Sequence, residues 1–257
     1  MRADRILASA VLVGALAASA CTSFFEVSIE TPIRPKLDVS AFSRVFVAGF
    51  VAAGTEDVDA NLETVRLLRS QLRAKGLLRV IDADVLPLTE VAAEQRKGET
   101  PPDGTPPPAD LPEQITTEQD LELYEPVFAN TDYWKKVGEE FQGPLIVTGT
   151  VMFTPHSRSG YVQREQEVYD SFGRRRVQPV RTYMERQGFI LRPKFVFIDG
   201  RTGATLYTET FREEVLYSAQ QTTPALSSYF ELMDRLIPAF LTTLSSQKIK
   251  GSRVLLK

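Results

Sequence analysis

The chain has 257 residues, 43% of them hydrophobic, a formal charge of −3 and a single cysteine, Cys21. That length and apolar content suffice for one sizeable core. The lone cysteine excludes an internal disulfide and a cysteine-ligated metal site, and the acidic balance argues against nucleic acid as a partner.

The first 21 residues, MRADRILASAVLVGALAASAC, have the order of a secretory signal: Arg2 and Arg5, an apolar run from Ile6, then the small residues Ala18, Ser19 and Ala20 before the cysteine. A run this short does not span a bilayer, which takes about 20 apolar residues. Ala-Ser-Ala-Cys resembles a bacterial lipobox, with Ala18 where leucine is commoner. The resemblance implies cleavage before Cys21 and a diacylglyceryl group and acyl chain, palmitate for example, on the new N-terminus. No other cofactor is expected. Thr22 follows, where an aspartate would imply retention in the inner membrane, so the expected address is the periplasmic face of the outer membrane. Loss of residues 1–20 leaves 28 basic and 32 acidic residues, a formal charge of −4.

Residues 21–43 form either an extended tether, with Pro32 and Pro35 opposing a helix, or in part an edge strand, since Phe25, Val27 and Ile29 alternate. The domain is expected over 44–257. Arg44–Phe50 reads as a buried strand and Leu78–Asp82 as a second. A helix lies between them, capped by Asp59 or Asn61, with Leu62, Val65, Leu68 and Leu72 at helical spacing and Gly76 as its stop. Residues 98–112 hold six of the sixteen prolines and are read as a loop, within an insertion spanning 98–130. From Glu90 to Asp132 eleven acids stand against Arg96 and Lys97.

Thr131 is expected to cap a short helix presenting Trp134, Val137 and Phe141 on one side, with Trp134 as a core anchor. Leu145–Phe153 is the clearest strand. Phe195–Ile198 and Ala204–Phe211 follow, joined by Asp199-Gly-Arg-Thr-Gly203, whose glycines suit a hairpin turn. A long helix begins near Thr223 and Pro224, with Leu226, Phe230, Met233, Ile237, Phe240 and Leu244 along one side and a kink expected at Pro238. Arg253–Leu256 reads as a final strand. The fold class is α/β (α+β), a mixed sheet flanked by helices with two insertions, 98–130 and a long hairpin at 157–188.

The segments GPLIVTGTVMF and FVFIDGRTGATLYTETF with the closing helix resemble the periplasmic α/β module shared by the TolB N-terminal domain, the curli-secretion lipoproteins and the lipoprotein activators of penicillin-binding proteins. Thr148, Gly149, Asp199, Thr202 and Gly203 carry the match, which covers about residues 44–85 and 131–246. The resemblance implies assembly, scaffolding or regulation of envelope machinery and no catalysis. Those motifs are turn and core signals, so they bear on fold before function.

A membrane pore, which the curli relatives imply, conflicts with the hairpin: one side of its outgoing strand reads Val162, Arg164, Gln166, Val168, Asp170 and the other Tyr161, Gln163, Glu165, Glu167, Tyr169, and neither suits lipid. Arg158 to Arg186 contains seven arginines against four acids. Tyr161, Arg164, Tyr169, Arg174, Arg175, Arg176, Arg181 and Tyr183 are therefore the candidate partner-binding residues, arginine and tyrosine being the types that anchor interfaces. A solvated hairpin, or one pairing with the acidic 90–132 region of its own or another copy, is the competing reading.

No enzyme is expected. His156 is the only histidine, so a histidine-based zinc site lacks ligands, and neighbouring Ser157 or Ser159 lacks the strained turn of a serine nucleophile. No metal site is expected. Asp82 and Asp84 read as a solvated strand end, and no phosphate-binding glycine loop is present. Three functional readings remain: an envelope protein acting through contact with a protein partner, a homo-oligomeric ring or scaffold, and a glycan- or lipid-binding pocket beneath the proline-rich loop.

Overall fold

The computed structural model describes residues 24–98, 111–112, 114–169, 171–218, 221 and 223–256. The signal segment, Cys21 and most of the proline-rich run lie outside the described residues. The chain divides into two compact units, Lys36–Leu244 and a smaller one formed by the residues up to Pro35 together with those from Ser245.

In the larger unit the core is a mixed sheet. Strands β2 (Arg44–Gly54), β3 (Arg79–Val80), β4 (Leu145–Tyr169), β5 (Arg175–Asp199) and β6 (Thr205–Thr210) lie in the order β3-β2-β4-β5-β6, and β7 (Glu213–Ser218) also pairs with β5. β2 runs parallel to β3 and β4, and the remaining pairings are antiparallel. Residues 145–151 of β4 are buried on both faces, which explains their unbroken run of apolar and small residues.

Helices cover both faces. α1 (Ala60–Lys75) and α6 (Ala225–Leu244) pack Val65, Leu68, Leu72, Tyr229, Leu236 and Phe240 against Val45, Val47, Val147, Phe195 and Phe197. On the other side α2 (Leu88–Gly98), α3 (Glu118–Glu122), α4 (Pro126–Ala129) and α5 (Thr131–Glu140) pack Leu88, Leu121, Phe128 and Trp134 onto Phe46, Ile146, Val196 and Ile198.

Several local expectations are corrected. The strand predicted at 78–82 shortens to Arg79–Val80. Asp59 caps α1 by accepting from Leu62 N at 2.9 Å, while Asn61 turns inward to accept Phe50 N at 2.8 Å. Asn130, not Thr131, caps α5, its side chain accepting from Tyr133 N at 3.0 Å. α6 continues through Pro238, and its buried side holds the predicted Met233, Ile237, Phe240 and Leu244 together with Tyr229, Leu232 and Leu236, while Leu226 and Phe230 near its start are exposed. Residues 114–129, read as part of an insertion, bury Leu121, Tyr124, Val127 and Phe128 and complete the second core layer.

The motif residues behind the family resemblance are structural. A bulge between Val47 and Gly49 shifts the register of β2 against β4. Arg69 donates to Val47 O at 2.9 Å and Thr148 Oγ1 to Gly49 O at 2.8 Å, so both carbonyls are satisfied. Thr148→Val keeps the branched shape and leaves that buried carbonyl without a donor. A loss of about 1–3 kcal/mol is expected in urea unfolding, and an unchanged midpoint would remove this bond from the account.

At the β5–β6 turn Asp199 accepts from the backbone and guanidinium of Arg201 at 2.9–3.0 Å. Burial alone would raise this carboxyl, but the bonds and charge of Arg201 outweigh it and hold it below the ordinary aspartate value. Gly203 has φ +75°, and a Cβ there would stand 1.9 Å from Thr131 O, so only glycine lets the turn close on α5.

The smaller unit is a two-stranded antiparallel ribbon of β1 (Phe24–Ile33) and β8 (Gln247–Leu256), in continuous register from Phe24↔Leu256 to Ile33↔Gln247. The N-terminal segment is thus a strand, but its partner is the far end of the chain and not an edge of the main sheet.

Candidate functional site

The hairpin is a continuation of the two central strands. β4 and β5 remain paired for 25 residues each, from Leu145↔Asp199 to Tyr169↔Arg175, whereas β2 accompanies β4 only as far as Phe153 and β7 accompanies β5 only between Arg186 and Leu191. Beyond those neighbours the two strands run as an exposed ribbon. Pro155 and His156 lie within the strand, opposite Phe189 and Gly188 and past the last residue that β2 accompanies.

Directly opposed residues in an antiparallel pair share a face, so the register sorts the candidate residues. Tyr161 opposes Tyr183 with ring centroids 5.4 Å apart at 67°, and both rings are more than half exposed. The same face carries Gln163 opposite Arg181, Tyr169 opposite Arg175, and the acids Glu165, Glu167 and Glu185, with Arg175 paired to Glu167 at 2.5 Å.

The other face is different. Arg158 opposes Arg186, Arg164 opposes Val180 and Val168 opposes Arg176. Val162, Val180 and Met184, partly buried, lie between these arginines, and the pairs from Arg158↔Arg186 to Val168↔Arg176 on this face include no acid. At the tip Phe172 is 80% exposed with the Arg174 guanidinium 5.3 Å from its ring centre.

The predicted set is therefore not one cluster. Tyr161, Tyr169, Arg175, Arg181 and Tyr183 share one face, Arg164 and Arg176 the opposite one, and Arg174 the tip. Arg158 and Arg186 complete the basic face and were not singled out from sequence, although strand parity in both arms contains the signal once the register is known.

At the root of the hairpin is a cleft of about 330 Å³ lined by His156, Ser157, Phe189, Tyr217 and Gln221 among others. His156 Nε2 lies 3.4 Å from Glu214 Oε1, and Ser157, the next residue of the strand, alternates to the opposite face. A second cleft of about 250 Å³ is bounded by Gly54, Glu56, Thr89 and Gln114. Cys21 lies outside the described residues. Among those described, no group of three or more His, Cys, Asp or Glu comes together as a metal site, and no helix is long and apolar enough to cross a membrane.

No protein-family model matches the chain, and no curated protein does. Among solved structures the chain is similar to the crystal structure of lipoprotein GNA1162 from Neisseria meningitidis, at 12% identity and a TM-score of 0.34, over 77% of this chain and 98% of that one.

Proposed function

We propose that this protein is a lipid-anchored periplasmic protein of the outer membrane that acts by protein contact in envelope assembly or regulation, through the basic face of the 157–188 hairpin. Its α/β domain then belongs with the TolB-like, curli-secretion and penicillin-binding-protein-activator modules. The observation that carries the contact surface is the sorting of charge. Arg158, Arg164 and Arg186 share a face on which the pairs from Arg158↔Arg186 to Val168↔Arg176 include no acid, although the chain as a whole is acidic.

Arg158 directly opposite Arg186 supports the same reading. Like charges facing each other across a ladder destabilise it, and an acidic partner laid over them reverses that cost. The half-buried Val162, Val180 and Met184 supply an apolar centre for such a contact, with arginine around it. Tethering adds to affinity by mass action, since lipids on Cys21 confine the domain to the layer in which a membrane-bound partner lies.

Changing Arg158, Arg164 and Arg186 together to glutamate should lower recovery of the cross-linked partner at least about tenfold, the equivalent of roughly 1.4 kcal/mol. Tyr161→Ala with Tyr183→Ala, on the opposite face, should change it by less than about twofold. Loss in the tyrosine pair and not in the arginine set would move the contact to the other face. The alternative of a ring or scaffold is separated by sizing the protein without its lipid, because a monomer excludes self-assembly as the primary role.

A further inference from the structure

We propose that the β1–β8 ribbon is an interfacial membrane element that lies with one face on the bilayer beside the lipid anchor. This rests on lipidation of Cys21 and adds a surface that the anchor alone does not require. Only two residues separate Cys21 from Phe24, so the end of the ribbon lies within about 11 Å of the acylated residue even if the chain is fully extended. The register then carries the C-terminal strand to the same place: Phe24↔Leu256 and Phe25↔Leu255 are the pairs nearest Cys21.

The two faces of the ribbon differ. Along one, Val27, Ile29, Ile33 and Ile249 are 40%, 41%, 45% and 55% exposed, with Arg253 opposite Val27. Along the other, beyond Phe24↔Leu256 and Glu26↔Val254, lie Ser28 opposite Ser252 and Glu30 opposite Lys250, with Lys248 and Lys250 paired to Glu30 at 3.2 and 3.5 Å. From Val27 to Ile33 the pair is more apolar on one side and ion-paired on the other, an arrangement that suits a boundary between water and hydrocarbon. A two-stranded ribbon has no second sheet to bury that apolar side and is marginal in water by itself. A lipid surface held within a few residues by the anchor is the occupant that both the chain length and the two-sided pattern favour. Arg253, on the apolar face near the anchor, is placed to meet lipid phosphate.

The test uses the full lipidated protein in vesicles of phosphatidylethanolamine and phosphatidylglycerol. A thioether-linked cysteine has no thiolate, so Cys21 should not react with maleimide even in denaturant. A cysteine introduced at Ile29 or Ile249, or at Ser28 or Ser252 as controls, is then the only reactive thiol. An environment-sensitive fluorophore at Ile29→Cys or Ile249→Cys should lose about half its emission to nitroxide-labelled lipid, and one at Ser28→Cys or Ser252→Cys little. Reaction of the wild-type thiol overturns the anchor, and the ribbon's placement with it. An unreactive wild type with equal or absent quenching on the two faces overturns the ribbon alone and leaves its apolar side to protein.

Discussion

Directed to the periplasm by a cleavable signal that does not specify lipidation, a Cys21→Ala variant is expected in the soluble fraction, folded, with almost none left on the membrane. Each buried methylene contributes about 0.8 kcal/mol, so one acyl chain holds a protein marginally and two or three hold it stably. The only other membrane contacts proposed are the half-exposed Val27, Ile29, Ile33 and Ile249, worth about 1–2 kcal/mol each before positional costs. These orient the ribbon once the lipids hold it near, and they do not replace the lipids. Fractionation of the variant beside the wild type decides it. Full retention of Cys21→Ala on the membrane would mean that something other than the lipid is the principal hold.

Trp134→Ala should be the most damaging single substitution in the larger unit. The indole is fully buried between α4 and the sheet, its Nε1 donates to Val127 O at 2.9 Å, and its ring meets Tyr133 edge-on with centroids 5.0 Å apart. Truncation leaves a cavity and removes the indole's bond to Val127 O, which keeps only the longer one from Asn130 N at 3.4 Å, a loss of about 4–5 kcal/mol against a typical total of roughly 5–15. For a unit of this size that lowers the urea midpoint by roughly 1.5–2 M. Circular dichroism is the suitable probe, since Trp134 is the only tryptophan. Trp134→Phe keeps most of the apolar contact and should recover more than half of the loss. A cost below about 1 kcal/mol for the alanine variant would show that α4 and α5 are not integral to the core.

How far the sequence could be read depends on the range of the interaction that sets each feature. The β2 and β4 strands, the α1 helix with its Asp59 cap and Gly76 stop, and the Asp199–Gly203 turn were legible because residues close in sequence specify them. The α3–α4 segment was not. Its acids and nearby prolines read as an insertion, while the informative spacing of Leu121, Tyr124 and Phe128 is spread over two short helices that have little stability without the sheet beneath them. The α6 helix was found with Met233, Ile237, Phe240 and Leu244 on its buried side, and only Leu226 and Phe230, which extend the apolar pattern toward its start, are exposed.

By itself the sequence determined a mixed α/β core and a hairpin rich in arginine and tyrosine, and it carried the pattern of a secretory signal ending at a lone cysteine. Tertiary structure decided which of those arginines share a face and that Phe24–Ile33 pairs with Gln247–Leu256. Both depend on strand register, which pairs Arg158 with Arg186 and Phe24 with Leu256. Register is set by the whole ladder, and a slip of one residue turns every side chain to the opposite face. Composition is the same on either side of that slip, so only the paired strands show which face carries the charge.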